Sequence, residues 1–119
     1  MKNRLITNLI DAGWKKFPCH HKGRCTALYK SFANRNECLC NEGKRKQAEI
    51  YIHEFDDHWS VEIEVAGEIS EDRWIRLTLH GLKLTDDAAY YEYQVNRVLD
   101  IWDFASSQKT CLEKAGDSE

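Results

Sequence analysis

The chain has 119 residues, of which 42% are hydrophobic and 31% are charged, and its net charge is −3. This composition is typical of a soluble globular protein, and it excludes a helical membrane protein because no apolar run approaches the roughly 20 residues needed to span a bilayer. A chain of this length can bury a core without disulfides or metals. We expect one domain over residues 1–108 and a tail over 109–119.

The two halves of the chain carry opposite charges. Residues 1–47 contain eleven Lys or Arg and three Asp or Glu, a net of +8, whereas residues 48–119 contain six and seventeen, a net of −11. Such asymmetry indicates that one half meets a charged partner. The alternative is that the two halves neutralise each other within the fold.

The N-terminal stretch does not resemble a signal peptide, because its apolar run is short and broken by Asn8. We therefore expect a cytoplasmic protein, in which thiols stay reduced. The five cysteines are an odd number, which also fits poorly with a complete disulfide framework.

The first predicted element is a short amphipathic helix over residues 3–12. Asn3 can cap its N-terminus, and Gly13 can end it in a left-handed conformation. Its apolar side consists of Leu5, Ile6, Leu9 and Ile10. A helix of this length is marginal alone, so we expect it to pack against a sheet.

A hairpin is predicted next. Residues 26–32 alternate as in a strand, residues 33–37 contain two Asn and favour a turn, and Cys38-Leu39-Cys40 can form a short return strand. In such a hairpin Cys40 would lie opposite Tyr29.

The clearest pattern is a three-stranded antiparallel meander over residues 48–82. Apolar and polar residues alternate from Ala48, from Trp59 and again from Trp74, and this period of two is typical of strands with one buried face. Polar connectors at 56–58 and 67–73 separate the three runs.

A long helix is predicted to begin at Thr85, which is a good N-cap, with Asp86 and Asp87 in its first turn. Its core-facing stripe consists of Ala88, Tyr91, Val95, Val98, Leu99 and Trp102. The predicted fold is therefore α+β: an antiparallel sheet of three to five strands, packed by a short N-terminal helix and a long C-terminal helix.

Thiols and imidazoles crowd residues 19–40, and these groups are the usual ligands of structural zinc. Their spacing matches no familiar zinc motif, and in the predicted hairpin Cys25 and Cys40 lie too far apart to share an ion. A site would need the loop at residue 19 to fold back over the return strand. The candidate ligands are then Cys19, His21, Cys38 and Cys40. The alternative is reduced, buried cysteines and no cofactor.

Two further segments have residue types that suit a chemical or binding role. Asp56-Asp57-His58 could tune a general base, but no nucleophile lies nearby in the sequence, and a hairpin tip explains the segment equally well. The basic segment 14–46 mixes lysines and arginines with aromatic residues, which suits nucleic-acid binding. Its alternative is a solvated basic surface, and a pI of about 6 argues against a dedicated nucleic-acid binder.

Two surfaces are candidates for binding a partner. The polar face of the meander projects Tyr51, His53, Glu62 and Glu64. The predicted helix carries a second stripe opposite its core side, which either is covered by another segment or is an exposed contact surface: Tyr90, Tyr93, Arg97, Ile101 and Phe104.

The run from Leu9 to Trp14, followed by aromatic and cysteine-bearing strands and by Cys38-Leu39-Cys40-Asn41, resembles small uncharacterised accessory proteins of phages and prophages. The resemblance covers about the first 55 residues. It implies no functional residues, only a setting in which such proteins bind host machinery.

We therefore expect a non-enzymatic accessory protein that binds a macromolecule, a host protein above all, through an acidic and aromatic surface. The alternative is a zinc-stabilised or nucleic-acid-binding module that uses residues 14–46. An enzyme is the third reading, and the oligomeric state is left open.

Overall fold

The computed structural model describes residues 1–19, 24–33, 45–70 and 73–117, with the side chains of the last helix described as far as Ala105. Two helices and five strands follow one another along the chain. In order, they are α1 (Lys2–Asp11), β1 (Lys15–Phe17), β2 (Arg24–Ala33), β3 (Arg45–Glu54), β4 (Trp59–Ser70), β5 (Arg73–Leu79) and α2 (Ala88–Asp117).

The five strands form one antiparallel sheet in the order β1-β2-β3-β4-β5. Each strand pairs with its neighbour in the sequence, so the sheet needs no crossover connection. The α+β prediction is confirmed, including the meander of β3, β4 and β5.

Both helices pack against one face of the sheet, which we call the covered face. Its side chains alternate along each strand and meet the core stripe of α2, as predicted. The core residues are Leu5, Leu9, Trp14, Leu28, Ala48, Ile50, Ile52, Val61, Ile63, Val65, Tyr91, Val95, Val98, Leu99 and Trp102.

The opposite side of the sheet, which we call the open face, has neither helix on it. Strand alternation fixes which residues it presents. Among the residues with described side chains these are Lys15, Phe17, Cys25, Ala27, Tyr29, Ser31, Gln47, Glu49, Tyr51, His53, Ser60, Glu62, Glu64, Ala66, Glu68, Trp74, Arg76 and Thr78.

The strands differ from the prediction in their bounds. β3 begins at Arg45, three residues early, and β4 runs to Ser70, into the predicted connector. Cys38-Leu39-Cys40 lies outside the described residues, and the fifth described strand is β1. Tyr29 pairs with Lys15 on one side and Glu49 on the other, so the expected position of Cys40 opposite Tyr29 is wrong.

The predicted end of α1 is correct. Gly13 has φ of 105°, and the N–H of Trp14 donates to the carbonyl of Leu9 at 3.0 Å, which closes the last turn. Its predicted start is wrong, since the N-cap is Met1 and no side chain caps the helix.

The predicted cap of α2 is also wrong. Asp87 caps the helix: its Oδ1 accepts the N–H of Ala89 at 3.0 Å. Thr85 lies two residues earlier, where the hydroxyl of Tyr91 accepts the Thr85 N–H at 3.2 Å and donates to the carbonyl of Lys83 at 2.6 Å. These hydrogen bonds hold the segment from Lys83 to Thr85 outside the helix.

Within the described part of the chain, no helix combines the length and the apolar character that crossing a bilayer requires.

A buried ion pair fixes α2 on the sheet. The side chain of Lys46 is fully buried on the covered face, and its Nζ lies 2.5 Å from Oδ1 of Asp103 and 5.1 Å from the ring centroid of Trp102. The indole N–H of Trp102 donates to the carbonyl of Ile75 at 2.9 Å. This packing requires Gly67, since a Cβ there would lie 2.5 Å from Trp102 Cζ2.

We predict that Gly67→Ala lowers the free energy of unfolding by about 2 kcal/mol, because the added Cβ overlaps the ring of Trp102. Urea denaturation measures the loss. Gly81→Ala is the comparator: nothing lies within 4 Å of a Cβ there, and the strain at φ of 70° costs only about 1 kcal/mol.

Combining Gly67→Ala with Trp102→Phe should cost less than the sum of the two single losses, because phenylalanine is smaller than the indole that clashes. Equal losses at the two glycines, together with strict additivity in the double variant, would contradict this packing.

Candidate functional site

The two oppositely charged halves of the chain meet on the covered side of the molecule. Six described ion pairs join a Lys or Arg of residues 1–47 to an Asp or Glu of residues 48–119. They are Lys2–Glu54, Arg4–Asp86, Arg24–Glu54, Arg24–Asp56, Lys30–Glu92 and Lys46–Asp103, with N···O distances from 2.5 to 3.9 Å.

All six pairs lie on the covered face or at its rim. Lys30 and Lys46 share the strand parity of the core residues Leu28 and Ala48, and their carboxylate partners are on α2. For these residues the two halves therefore neutralise each other within the fold, which was one of the two readings of the charge asymmetry.

The open face carries carboxylates that take no part in these six ion pairs. Glu49 and Glu64 lie directly opposite each other on β3 and β4, and Glu62 is the next open-face residue along β4. We call these three residues the acidic cluster. Like charges directly opposite on neighbouring strands repel each other.

The partners of the acidic cluster are few and come from the open side itself. Glu64 Oε1 lies 3.2 Å from Nε of Arg76, and Glu62 lies 3.4 Å from Nε2 of both His53 and His80. Among the described residues, no Lys or Arg from the basic half forms an ion pair with the cluster.

Hydrogen bonds hold Glu49 in place. Nε2 of Gln47 donates to Glu49 Oε1 at 3.1 Å, and the hydroxyl of Tyr51 donates to Glu49 Oε2. Burial, followed by this bond to Glu49, raises the pKa of Tyr51, so the hydroxyl stays protonated and remains a donor.

Burial and the neighbouring carboxylates also change the pKa of Glu64. Burial is the main cause that raises the pKa of Glu64, and the charges of Glu49 and Glu62 raise it further, although Arg76 opposes them. The charged form of Glu64 is therefore disfavoured in the folded protein, and an added cation beside it would be stabilising.

An aromatic cluster borders the acidic cluster. The ring of Phe17 meets those of Tyr29 and Tyr51 edge to face, with centroids 5.7 and 6.0 Å apart, and Tyr51 stacks on His53 at 6.3 Å. The predicted residues Tyr51, His53, Glu62 and Glu64 thus lie together on two adjacent strands.

A groove lies beside the acidic cluster, and the sequence analysis did not identify it. Its volume is about 360 Å³, and it is lined by Ser31, Gln47, Glu49, Ala66, Trp74 and Arg76, together with Lys46, whose side chain is buried on the covered face. Trp74 is 65% exposed. The alternation of Trp74 with Ile75 was the signal for its place on the open face, but no pattern indicated a groove.

The second candidate surface lies elsewhere. Tyr93, Ile101 and Phe104 are 63%, 57% and 67% exposed, so the reading in which another segment covers this stripe is wrong for them. Tyr90 is half-buried, and its hydroxyl accepts the N–H of Lys83. Arg97 is exposed and donates to Gln94.

This stripe is on the side of α2 that faces away from the sheet, and the open face is on the far side of the sheet. The two predicted contact surfaces are therefore on opposite sides of the domain. A single compact interface cannot include both.

The predicted zinc ligands are mostly beyond what the structure describes: His21, Cys38 and Cys40 lie outside the described residues. Cys19 is described, and its thiol forms a hydrogen bond with Cys25. Within the described ranges, no group of three or more His, Cys, Asp or Glu is arranged to hold a metal. The zinc site stays a prediction.

The described contacts of Cys25 and of the β3–β4 hairpin do not support a catalytic role for either. Burial, then the hydrogen bond with Cys19, raises the pKa of Cys25 to about 12, so the reactive thiolate is rare at neutral pH. Asp57 and His58 form an exposed 2.6 Å contact at the hairpin tip, where the His58 ring stacks on Phe55.

No protein-family model, curated protein or solved structure matches this chain.

We predict that Glu64→Gln stabilises the protein at pH 7. Because the pKa of Glu64 is raised on folding, its charge costs stability at neutral pH, and that cost disappears as the pH falls through the folded pKa. Urea unfolding at pH 7 and at pH 4 should show a gain that shrinks on acidification.

Glu54→Gln is the control, and its expected effect on stability has the opposite sign. The hydrogen bond from Lys2 is the main cause that lowers the pKa of Glu54, so its removal should lower stability at pH 7 or leave it nearly unchanged. A loss of stability in Glu64→Gln at pH 7 would show that the acidic cluster is not under charge repulsion.

Proposed function

We propose that this protein is a non-enzymatic binding protein whose open face contacts a basic segment of another protein. One observation carries the proposal: the described ion pairs of the basic half lie on the covered side, whereas the acidic cluster remains on a sheet face that neither helix covers.

The physical basis is charge complementarity on a partly desolvated surface. The side chain of Glu64 is only 17% exposed and that of Glu62 only 23%, so their interactions with a partner's cation are screened less than those of fully exposed groups. The adjacent rings of Tyr29 and Tyr51 supply rigid apolar area beside the charges, as is common in protein interfaces.

The expected setting belongs to the same proposal. A cytoplasmic accessory protein of phage type that binds a host protein would use such a surface against a basic partner, including one that ordinarily holds nucleic acid. The exposed stripe of α2 with Tyr93 and Phe104 would then be a second, separate contact.

The described residues favour this proposal over nucleic-acid binding by segment 14–46. Arg24, Lys30 and Lys46 are engaged by carboxylates, and Trp14 is 2% exposed and so cannot stack on a base. Lys15 and Lys16 remain exposed on β1. The binding experiment below therefore also includes DNA and RNA.

We predict that a short peptide rich in arginine and lysine binds the protein and that the pair Glu62→Gln and Glu64→Gln weakens binding about fivefold, the effect of losing two ion pairs worth about 0.5 kcal/mol each. Fluorescence anisotropy of the labelled peptide measures the affinity. Binding should also weaken between about 0.05 and about 0.3 M salt, since screening shortens the range of the attraction.

The matched control is Asp11→Asn with Asp57→Asn, which removes the same charge from exposed positions on α1 and at the β3–β4 tip. This control should bind the peptide nearly as well as the natural sequence. An equal loss in both variants would indicate a nonspecific effect of net charge. Steep, salt-dependent binding of DNA or RNA without peptide binding would favour the alternative module instead.

A further inference from the structure

The groove on the open face exists because a small residue lies between larger ones. Ala66 on β4 pairs with Gln47 on β3 and Arg76 on β5, so its methyl group forms a low floor between two rows of long side chains. At about 360 Å³ the groove is near the lower end of ligand sites, which begin at roughly 300 Å³. It can therefore take a single side chain.

Trp74 forms one wall of the groove, and its exposure is unusual. At 65% it contrasts with Trp14 and Trp102, which are 2% and 0% exposed in the core. An exposed indole presents a flat, electron-rich face that attracts cations, most strongly among the aromatic side chains. Trp is also among the residues most enriched at the energetic centres of interfaces.

One carboxylate lies beside this indole, and a second lines the groove from β3. Glu68 lies directly opposite Trp74 in the β4–β5 register, where paired side chains are neighbours. Glu49 lines the same groove from β3. The exposed cation of the groove, Arg76, is already engaged by Glu64 at 3.2 Å. Each oxygen of Glu49 accepts one hydrogen bond, from Gln47 or from Tyr51, and keeps a second lone pair for a further donor.

We propose that this groove is the specificity site of the open face and that it binds one arginine side chain of the basic partner. The guanidinium stacks on Trp74 and donates to the carboxylates of Glu49 and Glu68. The inference rests on the proposed function, and it adds the residue type that the partner presents.

Arginine fits this groove better than lysine. A guanidinium is planar, stacks on aromatic faces and offers a fork of donors that matches a carboxylate, whereas an ammonium is a strongly hydrated point charge. An anionic ligand would meet the carboxylates of Glu49 and Glu68, and Arg76 is already paired. The open face therefore favours a cationic occupant.

The test compares two labelled peptides that differ only in replacing every arginine with lysine, measured by anisotropy against the full chain. The natural sequence should prefer the arginine peptide by roughly five- to tenfold, the effect of one well-placed stacking contact. Trp74→Ala and Ala66→Leu should each remove this preference, the first by removing the stacking surface and the second by filling the groove.

Thr78→Leu is the matched control, since it enlarges an exposed open-face residue of β5 outside the groove and should keep the preference. Trp74→Ala removes an exposed side chain, so it keeps the test valid if Ala66→Leu does not fold. Equal binding of the two peptides by the natural sequence, or an unchanged preference in Trp74→Ala, overturns the arginine site and leaves the proposed function standing. Failure of both peptides to bind overturns the proposed function itself.

Discussion

The buried pair of Lys46 and Asp103 determines which side of the sheet α2 covers. Its ammonium is fully buried between β3 and α2 and lies over the ring of Trp102. Removing one member of such a pair leaves a buried charge and typically costs about 3–5 kcal/mol. Gly67 makes the close approach possible. Because this contact holds α2 against one face, the opposite face stays without a helix.

The same constraint explains how the charges are distributed. Basic residues of the first half, such as Lys30, pair with carboxylates on α2 and at the rim of the covered face. The carboxylates of Glu49, Glu62 and Glu64 lie on the other side of the sheet, out of reach of these cations. Glu64 pairs with Arg76, Glu62 lies near two histidines, and Glu49 accepts hydrogen bonds from neutral side chains. A protein with a net charge of only −3 thus keeps a concentrated negative surface.

Local patterns predicted most of the fold, because alternation and helical periodicity depend only on near neighbours. They placed Ile50 and Ile63 in the core and Glu64 on the opposite face. They could not predict that Lys46, within a run of basic residues, is buried, because its partner Asp103 is 57 residues away. The groove at Ala66 depends on three strands in register, and strand β1 is too short to give a periodic signal.

We propose that the open face, rather than α2 or the basic segment, contacts the partner. The most direct test is nuclear magnetic resonance of the ¹⁵N-labelled full chain during titration with an arginine-rich peptide. The account predicts amide shift changes concentrated at open-face residues of β3, β4 and β5, including Glu49, Glu64 and Trp74, and the indole N–H of Trp74 among the largest. Changes concentrated around Tyr93 and Phe104 on α2, or along β1 and β2, would contradict it.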